Sequence, residues 1–181
     1  MIPAQVDGAA IVCHPHPQYG GNRFNPVVEA LFAALPAAGI AALRFDFRAT
    51  FDDGNGEGRD AVAALAELRR RVPDTMTFAA GYSFGAMITL ALEDDALAAK
   101  VLIAPPLSHM DPATAPGVAT LVLTPAHDQF TPPSVARPIV DAWPEAEFGT
   151  IESVDHFLVG RAGIVAELAA GWLAGRRTAP A

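Results

Sequence analysis

The chain has 181 residues, 51% hydrophobic and 18% charged, which fits a single domain over residues 1–181 with its own buried core and excludes a disordered polymer. Its formal net charge is −8, and the one run of positive charge, Arg69-Arg70-Arg71, sits at a predicted helix end where the helix dipole accounts for it, so no nucleic-acid partner is expected. The lone cysteine, Cys13, forms no intramolecular disulfide, and no signal-peptide pattern or run of about 20 apolar residues occurs, so a soluble cytoplasmic protein with no membrane partner is expected.

Short apolar runs alternate with amphipathic stretches along the chain, the pattern of repeated βα units in an α/β fold. A mainly parallel sheet of about six strands, with helices on both faces, is predicted. Residues 9–13 read as the first strand. After a Pro- and Gly-rich loop, Asn25 caps a helix beginning at Pro26, with Val27, Val28, Leu31, Phe32 and Leu35 on one face and Pro36 and Gly39 ending it. Residues 40–47 form the second strand, in which Leu43, Phe45 and Phe47 alternate with Arg44, Asp46 and Arg48. That alternation suits one buried face and a place at the sheet edge.

The loop 52–58 leads into a helix with Val62, Leu65, Leu68 and Val72 on its apolar side, ending before Pro73. Residues 75–80 are the third strand, 84–92 a helix, 101–104 the fourth strand and 118–124 the fifth. No helix is assigned to the Pro-rich connection between the last two strands. Residues 134–143 read as helical despite Pro138, 147–151 as a sixth strand and 164–173 as a closing amphipathic helix.

Gly81-Tyr82-Ser83-Phe84-Gly85 falls where the third strand gives way to a helix, the context of a nucleophile elbow. There a serine sits on a sharp turn, and bulk at the flanking glycines would strike the neighbouring strand or helix. An α/β-hydrolase carries its acid and then its histidine later in the chain, each in a loop after a strand. His14, His16, His109 and His127 all precede the best acid, so chain order leaves His156, between the sixth strand and the last helix.

Asp128, in the loop after the fifth strand, is the preferred acid. Asp111 competes after the fourth strand, and Asp155 adjoins the histidine but needs an awkward local fold to orient it. The oxyanion hole is expected to combine the backbone N–H of Phe84 with one from the loop after the first strand. Pro15 and Pro17 have no N–H, so His16 is the first choice, with Tyr19 or Gly20 as alternatives.

The segments His14-Pro15-His16-Pro17 followed by Gly20-Gly21, Arg44 to Arg48, Gly81 to Ala86, Ala104-Pro105-Pro106 and Asp155-His156-Phe157 together resemble small bacterial α/β-hydrolases near the dienelactone-hydrolase group. The resemblance runs over nearly the whole chain. It implies a hydrolase core with little or no lid, with Ser83, Asp128 and His156 in the catalytic positions. Two departures stand out. Ala49-Thr50-Phe51 replaces the glycine-rich turn usual after the Arg48 position, and Ser83 stands where dienelactone hydrolases proper carry cysteine, so their lactone substrate does not transfer.

The expected reaction is hydrolysis of a small carboxylic ester or thioester by water through an acyl-enzyme on Ser83, without a cofactor. An open pocket walled by Tyr19, Phe130 and Phe157 is expected. A non-catalytic binding protein on the same fold, or a peptidase or acyltransferase using the same three residues, are the alternatives. His14-x-His16 is a possible metal pair without an apparent third ligand, so no metal is expected. The acidic loop Asp52, Asp53, Asn55 and Glu57 lacks EF-hand spacing and reads as a solvated turn, and Gly54, Gly56 and Gly58 do not form a dinucleotide fingerprint.

Overall fold

A computed structural model describes residues 1–3, 6–109 and 116–176. In chain order the elements are β1 (Gly8–Cys13), α1 (Pro26–Ala37), β2 (Ile40–Arg44), α2 (Asn55–Arg71), β3 (Met76–Tyr82), α3 (Phe84–Ala91), β4 (Leu97–Ile103), β5 (Ala119–His127), α4 (Pro133–Val140), β6 (Ala146–Asp155) and α5 (Ala162–Arg176). The six strands form one sheet in the order β2-β1-β3-β4-β5-β6, and every neighbouring pair is parallel. Parallel strands bring all their carboxyl ends to one edge. The chain turns from β1 outward to β2 and returns to β3, so the crevice characteristic of such sheets opens between β1 and β3.

Side chains alternate across the sheet, which is why β1 is apolar throughout. Ala10 and Val12 face α1 and α5, while Ala9, Ile11 and Cys13 face α2 and α3. Further along, Leu102 and Val122 pack under α3 and α4. The predicted helix N-cap at Asn25 is present, its side chain accepting the N–H of Val27 at 3.0 Å. β2 lies at the sheet edge.

Several boundaries differ from the sequence expectation, each through a polar group with a partner. β2 stops at Arg44 because the following backbone is held by side chains: Phe47 N–H donates to His14 Nε2 at 3.0 Å, and Arg48 N–H to Asp60 Oδ2 at 2.8 Å. α2 begins inside the acidic loop. Glu57, fully buried, accepts the N–H groups of Asp52 and Gly54, both at 3.0 Å, so it caps the helix and is no solvated turn residue. Val62 is 48% exposed, and Ala61, Ala64, Leu65 and Leu68 form the buried side of α2 instead.

β4 starts at Leu97, four residues before the predicted strand, and carries Lys100 in its middle. The Lys100 ammonium donates to the carbonyls of Leu90, Leu92 and Pro116 at 2.9, 2.7 and 3.0 Å. It thereby closes the carboxyl end of α3, where cations are favoured. β5 and β6 also run past their predicted ends, to His127 and Asp155. Asp111 lies outside the described residues. Among the described residues no helix is long and apolar enough to cross a membrane.

Cys13, at the end of β1, has no exposed surface, and burial pushes its thiol up to about 12. A thiol so placed is inert. In the native protein a maleimide at pH 8 should leave Cys13 unmodified and react with it fully in denaturant, as read by intact mass. Native-state labelling would contradict this packing of β1 against α3.

Candidate active site

Between β3 and α3, Ser83 takes φ 54° and ψ −119°, a positive-φ conformation that residues with a Cβ rarely enter. Its N–H donates to Ile103 O at the end of β4 at 2.9 Å, and its carbonyl accepts the N–H groups of Ala86 and Met87. A Cβ at Gly81 would lie 2.1 Å from Gly85 O, and one at Gly85 would lie 2.3 Å from Cys13 O. Neither position has room for any side chain, because strand, turn and helix are pressed backbone to backbone.

The register of β5 against β6 pairs His127 with Asp155, so the next residues, Asp128 and His156, leave the sheet side by side. His156 Nδ1 lies 2.8 Å from Asp128 Oδ2, and His156 Nε2 lies 2.9 Å from Ser83 Oγ. Asp128 and His156 are 3% and 4% exposed. The other carboxylate oxygen, Asp128 Oδ1, accepts the N–H groups of Phe130 and Thr131 at 2.8 and 3.0 Å. With Oδ1 so occupied, Oδ2 is left for the imidazole. A carboxylate only accepts, so the proton sits on Nδ1 and Nε2 presents its lone pair to the Ser83 hydroxyl. Asp155 instead accepts the N–H of Phe157 at 3.1 Å, within its own turn.

Most of the N–H groups in the loop after β1 have an acceptor within it. Tyr19 and Gly21 donate to His16 O, and Gly20 donates to Pro17 O, at 3.0 to 3.1 Å. Gln18 N–H goes to His16 Nδ1 at 3.2 Å. Of the three residues considered for the second oxyanion donor, Tyr19 and Gly20 therefore have their N–H groups engaged, and His16 alone does not. The His16 ring packs 4.8 Å from the Phe84 ring, bringing the two expected donors' residues into contact. Gly21 has a reason of its own: a Cβ there would meet Pro15 O at 2.0 Å.

Above Ser83 lies a cleft of about 470 Å³ lined by Pro15, His16, Tyr19, Gly20, Gly21, Asn25, Tyr82, Ser83, Phe130, His156 and Phe157. All three aromatics expected to wall the pocket line it. A larger hollow of about 680 Å³ follows the β2 edge past Arg44 and Arg71, away from this chemistry.

No protein-family model matches the chain. Over 90 residues it is 41% identical to an uncharacterized protein of Rickettsia prowazekii (strain Madrid E), a match over 46% of this chain and 38% of that relative. The chain therefore spans well under half of the curated relative's length. Among solved structures it is similar to an α/β serine hydrolase homologue from Coxiella burnetii, with TM-score 0.87 and 29% identity over 96% of this chain and 89% of that one. A lidless α/β serine hydrolase from Xanthomonas campestris gives TM-score 0.84 and 29% identity over 99% and 85% of the two chains. The chain is a small lidless α/β serine hydrolase homologue. The dienelactone hydrolase of Anabaena variabilis and the esterase domain of a Rhodothermus marinus protein are also similar in fold, each at 19% identity, with TM-scores of 0.78 and 0.75 over 95% and 96% of this chain and 88% and 90% of theirs.

The chain also holds its histidine by groups that the sequence pattern does not single out. The Tyr82 hydroxyl donates to the backbone carbonyl of His156 at 2.9 Å, and the His156 N–H donates to Gln129 Oε1 at 3.3 Å. Burial holds the Tyr82 phenol protonated, with its pKa raised above the ordinary range. Each clamp residue is the chain neighbour of another member of the trio, Tyr82 of Ser83 and Gln129 of Asp128. That adjacency was the available signal.

His14 is likewise structural. Its Nδ1 lies 2.6 Å from Pro15 O, its Nε2 accepts the Phe47 N–H, and burial pushes its pKa below the usual value, so it is neutral. Both its nitrogens are engaged, and among the described residues no group of three His, Cys, Asp or Glu is arranged to hold a metal ion.

Tyr82→Phe should lower the unfolding free energy by about 1–3 kcal/mol, because it strands the buried His156 carbonyl. Urea denaturation with an unchanged slope checks this. A loss under about 0.5 kcal/mol, the scale of a neutral surface change, would show that the tie is not made.

Proposed function

We propose that the chain is a serine hydrolase cleaving a carboxylic ester, or a thioester, of a small acyl group through an acyl-enzyme on Ser83. The observation that carries this reading is the unbroken hydrogen-bonded series Asp128, His156, Ser83 at the floor of the cleft. His156 Nε2 takes the Ser83 proton as Oγ attacks the carbonyl carbon, and Asp128 holds the imidazole in the required tautomer and stabilises its positive charge. The carbonyl electrons move onto oxygen, which the N–H groups of Phe84 and His16 receive at roughly 3 kcal/mol each in the transition state.

His156 then returns the proton to the leaving alcohol or thiol as the tetrahedral intermediate collapses. Water enters, gives its proton to the same imidazole and attacks the acyl-enzyme, and Ser83 departs reprotonated. No metal or organic cofactor has a part in this scheme. The cleft is small and roofless, with Tyr19, Phe130 and Phe157 as walls, so short acyl groups fit it.

Hydrolysis of p-nitrophenyl acetate and butyrate tests the proposal. Ser83→Ala and His156→Ala should each lower kcat by at least about 10³-fold, and Asp128→Asn by about 10³- to 10⁴-fold with KM little changed. Wild-type turnover that survives in Ser83→Ala would place the chemistry elsewhere.

A further inference from the structure

Among the described residues lining the cleft none is an aspartate, glutamate, lysine or arginine. Arg23, between the lining residues Gly21 and Asn25, and Arg48 are committed elsewhere, and Arg161, four residues beyond Phe157, is not in the lining. Arg23 pairs with Asp46 at 3.2 Å and lies over the Phe24 ring, and Arg48 holds Asp60 through two nitrogens at 3.0 and 2.8 Å. The His16 imidazole, partly buried at the wall, has its pKa lowered by that burial, so it brings no positive charge at neutral pH. The acidic residues that neighbour His156 are carboxylates. Asp128 stands directly behind His156, and Asp155, exposed, begins the loop that carries it. The whole chain adds a formal charge of −8.

The rim is apolar as well as uncharged. Tyr19, Phe157 and Phe130 are 87%, 59% and 45% exposed, three rings standing in water around the opening with no lid above them. Exposed rings of this kind offer contact area to an uncharged, flat or short apolar group, whereas an anion brought among them loses water without gaining a partner.

Resting on the hydrolase reading above, we infer that this cleft selects uncharged esters and rejects those carrying a carboxylate within a few bonds of the scissile carbonyl. Half-esters of dicarboxylic acids and carboxylate-bearing lactones fall in the rejected class. The same field aids turnover. Hydrolysis of a neutral ester leaves a carboxylic acid that ionises at neutral pH, and no cation among the described lining residues retains the product.

The test compares two substrates that differ only by a terminal methyl against a carboxylate, p-nitrophenyl butyrate and mono-p-nitrophenyl succinate. At low ionic strength the wild type should favour the butyrate by about 30-fold in kcat/KM, the effect of a unit charge at about 8 Å in an interfacial dielectric. The preference should shrink as salt is added. Tyr19→Arg, at the most exposed rim position, should narrow it to under about 3-fold, since one cation at that range offsets the field. Equal kcat/KM for the two esters in the wild type, or a preference unmoved by both salt and Tyr19→Arg, would overturn the inference while leaving the hydrolase reading intact. Failure to cleave either ester would overturn both.

Discussion

At the junction of β3 and α3 the backbone takes φ 54° and ψ −119° at Ser83, a conformation that costs an ordinary residue about 1–3 kcal/mol and persists only where its surroundings enforce it. Much of the neighbouring sequence serves that enforcement. Gly81 and Gly85 are side-chain-free because each faces a backbone carbonyl at little more than 2 Å from where a Cβ would lie. Cys13, whose carbonyl Gly85 faces, lies in β1, and Ile103, which receives the Ser83 N–H, lies in β4. The elbow is thus gripped from both neighbouring strands, and the parallel order of the sheet decides which loops surround its hydroxyl.

The histidine is held by the opposite strategy. Where Ser83 is fixed by backbone packing, His156 is fixed by hydrogen bonds at four points: both ring nitrogens, its N–H and its C=O. Its partners come from the end of β3, the β3–α3 turn and the β5–α4 loop. A ring so constrained keeps one tautomer and one orientation before any substrate arrives, which is the preorganisation that acid–base chemistry at a serine needs.

The sheet was legible in the sequence wherever burial on both faces makes a strand predominantly apolar, as in β1, β3 and β5. The positions of Ser83 and His156 were legible from the strand-to-helix context and from chain order. What could not be read were polar groups whose partners lie far along the chain or in an unfamiliar loop. Lys100 looks like an interruption until three carbonyls close around it. Glu57 looks solvated until it caps α2, and residues 45–47 look like strand until His14 and Asp60 take the amides of Phe47 and Arg48. That the Tyr19 and Gly20 N–H groups are engaged shows only in the loop's own hydrogen bonds, which residue types do not reveal.

The chemistry proposed for this cleft depends on the Ser83 oxygen being an activated nucleophile. The direct measurement is reaction of the folded protein with a fluorophosphonate, followed by intact mass and peptide mapping. A single stoichiometric adduct on Ser83 is expected, formed at least about 10³-fold more slowly in His156→Ala, because the base that activates the serine is then removed. An unmodified protein, or an adduct formed equally well without His156, would contradict it.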